Sequence, residues 1–271
     1  MEDILLPSKI EITPSGRDNE SMLVMEPFFH GYGHTVGNAL RRVLLSSLQG
    51  AAVIAVKIKG ASHEFQAIPN VKEDVLEIIL NLKQLRLKVY SDEPVKLTLH
   101  AKGEKKVTGK DIMANSDVEV ANPNLHIATL TDKSGELEME ITVAKGRGYV
   151  PTEERGKDKA ELGTIAIDAL YSPIRSVGYK VDDVRVGQVT NYDRLTLTIE
   201  TDGTVDADEA VRSSAKILID HFALLTAIAS GEAPAKAEGS EEDAEETEEG
   251  DSETSADGEE KPKKKKASKK K

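Results

Sequence analysis

Apolar residues recur at helical spacing in three places along the chain. Within GHTVGNALRRVLLSSLQG, Val36, Leu40, Val43, Leu44 and Leu48 fall three and four residues apart, which predicts a helix over Thr35–Leu48 with one apolar stripe. Thr35 is placed to cap its start and Gly50 to end it. A second stripe, Val75, Ile78, Ile79, Leu82 and Leu85, predicts a helix over Val71–Leu85, with Asn70 and Glu73 at capping-box spacing. The third helix, Ala207–Ala229, opens on Asp206 and Glu209 in the same relation. Along it Val211, Ala215, Leu218, Phe222, Leu225 and Ala229 follow a four–three spacing, and Ile217, Leu224 and Ile228 widen the apolar face. A stripe this wide suits either packing on the chain's own sheet or a seam with a second copy.

Elsewhere the period shortens to two. Ala51–Lys59, Val95–Ala101, Glu136–Val143, Tyr179–Val189 and Arg194–Glu200 all alternate apolar with polar residues, the signature of strands with one buried face in antiparallel sheets. Long strand runs punctuated by three helices imply an α+β fold. The first and third helices are expected to share one subdomain built from residues 1–50 and 174–230. Residues 51–173 form an inserted, mainly β subdomain in this reading. The folded part runs from about Ile4 to about Ser230. Residues 231–271 carry almost no large apolar side chain, cannot offset their ordering entropy, and are expected to be a disordered tail.

Composition narrows the chemistry. The chain has no Trp, four Phe and six Tyr, so its core must be aliphatic. It has no Cys, which excludes disulfides, thiolate metal sites and a Cys nucleophile, and fits a reducing cytoplasm. No stretch approaches the roughly 18 consecutive apolar residues of a membrane helix, and MEDILLPSK does not read as a signal peptide. The net charge of −12 is unevenly placed: Glu238–Glu260 holds 13 acids and no bases, Lys261–Lys271 eight lysines and no acids. The body keeps −7, an acidic balance that counts against a large phosphate-binding face.

Catalytic patterns are hard to find. His30 and His34 sit in a Gly-rich turn with no acid at metal-site spacing. Gly31, Gly33 and Gly37 precede a helix but lack the P-loop ending and the dinucleotide spacing, so a tight turn and close helix contact account for them better. Asp202, Asp206 and Asp208 in DGTVDADE do not match a calcium loop, whose glycine comes later, and suit a turn leading into an acidic first helical turn. No active site, metal or cofactor is expected in this chain.

Five strings carry a resemblance: GHTVGNALRRVLLSS (Gly33–Ser47), EDVLEIILNLK (Glu73–Lys83), KGRGYVP (Lys145–Pro151), DALYSPIRSV (Asp168–Val177) and ETDGTVDADEAVRSSAKIL (Glu200–Leu218). In this order and spacing the chain resembles the α subunits of bacterial DNA-dependent RNA polymerase over essentially all of residues 1–230. The resemblance implies a non-catalytic homodimer that holds the large catalytic subunits β and β′ of a nucleotidyltransferase. It implies a dimer interface on the first and last helices, with Leu40, Leu44, Val211, Leu218, Phe222 and Leu225. It places a β contact at Arg42 and Leu45, although on the residues alone Arg41 and Arg42 read as a solvated helix face. It places a β′ contact at Lys83 and Ile167. Members of the family usually continue through a linker into a compact C-terminal domain that touches promoter DNA and activators. The residues after Gly231 do not resemble that domain, which counts against promoter reading through this region. Two competing readings remain open: a non-specific DNA contact through Lys261–Lys271, and a freestanding enzyme built on the Gly-rich turn.

Overall fold

A computed structural model describes residues 4, 6–155 and 163–230 of the chain. The expected disordered tail lies outside these residues. In chain order the elements are β1 (Lys9–Pro14), β2 (Glu20–Phe28), α1 (Tyr32–Ser46), β3 (Gln49–Ile58), α2 (Val75–Leu82), β4 (Leu87–Val89), β5 (Val95–Lys102), β6 (Lys105–Thr108), β7 (Val118–Val120), β8 (His126–Leu130), β9 (Glu136–Arg147), β10 (Tyr149–Val150), β11 (Thr164–Ala166), β12 (Ala169–Leu170), β13 (Ile174–Val186), β14 (Val189–Thr201) and α3 (Ala207–Ser230). The fold is α+β, with a mainly β region inserted between the first helix and the last hairpin.

The first sheet is antiparallel, in the order β1-β2-β14-β13. Its inward residues alternate along the strands: Leu23 and Met25 on β2 lie opposite Leu197 and Leu195 on β14. Against them pack Leu40 and Leu44 from α1, Leu48 just beyond its end and Ala210 from α3, closing one aliphatic core. The β1–β2 hairpin is not among the strands the sequence pattern suggested. Its alternation is short and broken by Pro27, yet β2 sits in the middle of the sheet.

The second sheet has the order β11-β3-β9-β5, again antiparallel. Val53, Val56, Leu97, Leu99, Ile141 and Val143 face a larger core, which α2 covers with Ile78, Ile79 and Leu82. A third small cluster, Ala52, Ala169 and Tyr171, lies beside β3. Here Gly50 belongs to β3 and does not end α1. A Cβ at Gly50 would fall 1.8 Å from the Tyr171 carbonyl oxygen, so its lack of a side chain serves this close crossing.

Two helix starts differ from the sequence reading. α1 begins at Tyr32, three residues before the expected Thr35 cap, with Gly31 at φ 84° in the left-handed region. α2 begins at Val75, where Asp74 accepts from the Glu77 N–H at 2.7 Å and provides the cap expected of Asn70. Glu73, the expected capping-box partner, is buried instead and faces β8.

Candidate functional site

The Gly-rich turn ahead of α1 is filled from within the chain. Asp193 on β14 is 3% exposed, and its Oδ2 accepts from the N–H groups of Gly31 (2.9 Å) and Gly33 (3.0 Å). These are the unsatisfied donors that attract anions to a helix start. A carboxylate some 160 residues away therefore occupies the place where a phosphate would sit. Gly33 and Gly37 let the helix lie close on the sheet: a Cβ at Gly37 would be 2.8 Å from Leu195 Cδ1 and 3.0 Å from the Tyr179 ring. His30 approaches Asp193 at 3.7 Å and His34 stacks edge-on against Tyr179, so the two histidines serve the turn separately.

With α1 fixed this way, its faces are defined. Leu40 and Leu44, which the resemblance implies at the dimer interface, are 6% and 0% exposed and belong to the protomer's own core. Arg42 and Leu45 lie on the opposite side, exposed. The Leu45 carbonyl accepts from Ser172 Oγ at 3.3 Å, which ties this end of α1 to the segment before β13.

α2 presents a second face. Lys83 Nζ donates to Asp168 Oδ2 at 3.0 Å, and the Thr152 N–H reaches Asp168 Oδ1 at 3.1 Å. The Lys83 hydrogen bond, then that backbone donor, hold the Asp168 carboxyl below the usual carboxylate range. Ile167, expected beside Lys83 as a contact, is 2% exposed and points into the β-rich core. Its N–H donates to the Ile54 carbonyl, and its own carbonyl accepts from the Arg155 guanidinium. It therefore supports this surface from beneath. Leu76 and Leu80, which the sequence reading did not single out, are exposed on α2 two turns and one turn from Lys83 respectively. Their signal was present as apolar positions off the Val75–Ile78–Leu82 stripe.

α3 offers the third face. Ala210 and Ser214 are fully buried, and Val211, Ile217 and Leu218 pack partly on the first core. Beyond Leu218 the helix leaves the sheet. Ile219, Phe222, Leu224 and Leu225 are 64%, 61%, 51% and 60% exposed, a run of large apolar side chains left open among the described residues.

Among the described residues, one group has metal-ligand composition: His100, Glu136 and Glu138 on the exposed side of β5 and β9. Lys59 already lies 2.6 Å from Glu138, and Lys102 3.0 Å from Glu136. Two ammonium groups thus neutralise the charge a metal would need. A cleft of about 610 Å³ beside them shares no residue with the three helical faces.

A family model described as the RNA polymerase Rpb3/RpoA insert domain matches residues 56–172. The chain is 53% identical over 221 residues to a DNA-directed RNA polymerase subunit alpha of Symbiobacterium thermophilum, covering 81% of this chain and 70% of that protein. The chain belongs to the family of DNA-directed RNA polymerase α subunits. An α subunit of Desulforamulus reducens is 52% identical over 217 residues, covering 80% of this chain and 69% of the relative. One of Clostridium beijerinckii is 53% identical over 205 residues, covering 76% and 65%. As an α subunit, the chain is a non-catalytic part of a multi-subunit enzyme. No helix among the described residues is long and apolar enough to cross a membrane.

Proposed function

We propose that two copies of this chain associate through their α3 helices, and that the dimer gathers the β and β′ subunits of RNA polymerase in the cytoplasm. The observation that carries the reading is the exposed run Ile219, Phe222, Leu224 and Leu225. Four large apolar side chains on one helix form the kind of patch that marks a protein interface. Val211 and Leu218 steady the helix from the inner side, and a symmetric pairing would cover the patch on both copies at once. Subdomain limits at 50/51 and 173/174 suit this arrangement, with the insert standing apart from the seam.

Arg42 and Leu45 on α1 are the proposed β contact. Arg42 is exposed, and its planar guanidinium can hold a carboxylate at two points. Lys83 is the proposed β′ contact, its side chain about 35% exposed and braced by Asp168, with Ile167 beneath. Reconstitution with the purified large subunits tests this reading. The expected course is dimer, then dimer with β, then the complete assembly. A chain that stays monomeric at micromolar concentration would contradict it.

The eight lysines of Lys261–Lys271 favour a second, weaker role as a tether for DNA without sequence preference. The 13 acids of Glu238–Glu260 compete for them, since opposite charges on adjoining runs come within the roughly 8 Å reach of electrostatics at physiological salt. Deleting Lys261–Lys271 should lower DNA retention by the assembled polymerase at low salt and matter little at high salt. Retention curves identical to the intact chain would leave the run as a solubilising segment.

A further inference from the structure

Cations without acidic partners gather toward the end of α1. Arg41 and Arg42 are exposed on that helix. The Arg42 carbonyl accepts from Ser46 Oγ at 2.8 Å, and Ser46 Oγ meets Ser47 Oγ at 3.0 Å. Ser47 in turn lines a cleft of about 490 Å³ with Arg147 of β9 and Lys216 of α3. Among the described residues no carboxylate forms an ion pair with Arg41, Arg42, Arg147 or Lys216. Glu209 and Asp220 line the same cleft, so charge balances there and the positive excess lies on α1. The rest of the chain supplies the opposite sign. Glu238–Glu260 holds 13 acids, and the eight lysines of Lys261–Lys271 can neutralise at most eight of them. At least five acids are left to find cations elsewhere, on a body that is itself net acidic.

We propose that the acidic run Glu238–Glu260 folds back on the outer face of α1, where it holds Arg41 and Arg42 until the β subunit displaces it. The displacement rests on the reading that Arg42 meets β; the fold-back does not. Reach permits the contact. Asp220 lies on the cleft that Ser47 also lines, and α3 ends ten residues later at Ser230, about 15 Å further along the helix. Arg42 stands five residues before Ser47, about 8 Å back along α1. Glu249, near the middle of the acidic run, follows Ser230 by 19 residues. A chain of that length spans roughly 24 Å on average and about 60 Å when extended, enough to return to Arg42. Chemistry favours arginine as the target, because a guanidinium takes a carboxylate at two points. Exposed ion pairs are weak singly and screened by salt, so the contact needs several acids at once and fades as salt rises. An incoming β surface that offers a carboxylate to Arg42 competes for the same guanidinium. The run thus guards the α1 face before assembly and is released by it.

Modification of arginines by phenylglyoxal, read by peptide mass spectrometry on the full chain without β, tests the fold-back. The intact chain is compared with a variant whose acids from Glu238 to Glu260 are all replaced by their amides. At low salt Arg41 and Arg42 should react about threefold more slowly in the intact chain, the order expected of a few exposed ion pairs. The two proteins should converge at about 1 M salt, where the reach of a charge falls to about 3 Å. Arg185, exposed at the β13–β14 turn, should react alike in both. Deleting Lys261–Lys271 removes the competing cations and should deepen the protection. Equal rates at Arg41 and Arg42 in the intact and amide chains, or protection lost with the lysines, would overturn the proposal. β capture then tests the displacement: the amide variant should capture β about threefold faster at low salt, with dimer mass and melting profile unchanged. Protection without any difference in capture would overturn the displacement. Normal capture by Arg42→Ala would assign that failure to the β reading and not to the fold-back.

Discussion

Glu73 shows how a single residue can be assigned to the wrong task by spacing alone. It stands three residues after Asn70, which fits a capping box, yet its carboxylate is 6% exposed and faces β8. Burial pushes its pKa up, but hydrogen bonds from His126, the Thr129 N–H and the Thr129 hydroxyl outweigh this, and the net shift is downward. A carboxyl whose pKa is lower in the folded chain contributes stability above its ordinary value near 4.5, and that contribution is lost as pH falls through the folded value. Glu73→Gln should therefore lower the melting temperature at pH 7 and flatten its decline below pH 4.5. A variant with the wild-type acid limb would mean that Glu73 contributes nothing to it. Asp193 makes a parallel case. Asp193→Ala leaves the Gly31 and Gly33 N–H groups without their acceptor, at an expected cost of about 1–3 kcal/mol. Asp193→Asn keeps an acceptor and should lose less, which thermal denaturation of the three proteins would resolve. Neither partner was legible in the sequence, because each lies on a strand distant in the chain and no local pattern marks it.

At the scale of elements, the helical stripes were legible and their outer faces less so. Period alone gave α3 to within a residue at its end, because nine apolar positions recur at helical spacing along it. It could not say which of them the first sheet covers. The structure divides the stripe by position along the helix: Val211 and Leu218 are partly buried, and Ile219, Phe222, Leu224 and Leu225 are exposed. On α1 Leu40 and Leu44 turn inward and serve the protomer's core, while Val36 and Val43 are half-buried. Placing Asp at both Leu218 and Phe222 would put charge into the proposed seam, costing several kcal/mol for each ion left unpaired there. Light scattering should show the wild-type chain as a dimer and the double variant as a monomer. Phe222→Asp alone is the cleaner probe of the seam, since Phe222 is 61% exposed in the protomer and its replacement leaves the core untouched. A Phe222→Asp chain that dimerises with wild-type affinity would place the seam elsewhere.

The whole molecule joins two cores through one junction. Arg86 of the insert and Asp202 before α3 face each other at 4.0 Å with both side chains largely buried, while Tyr171 seals the crossing at Gly50 and Gly146. This places the α1, α2 and α3 faces on one framework, with the first two about 13 Å apart along the backbone between Asp168 and Ser172. The alternation of strands made the inserted region readable in outline, whereas the junction depends on glycines whose role is set by what crosses them. The most direct test of the scaffold is the native mass of complexes formed from this chain and the two large subunits, with Arg42→Ala and Lys83→Ala run alongside. The expected result is two copies of the wild-type chain with one β and one β′, Arg42→Ala stopping at the bare dimer, and Lys83→Ala stopping at the dimer with β. A wild-type assembly holding a single copy of this chain, or both variants failing at the same step, would contradict it.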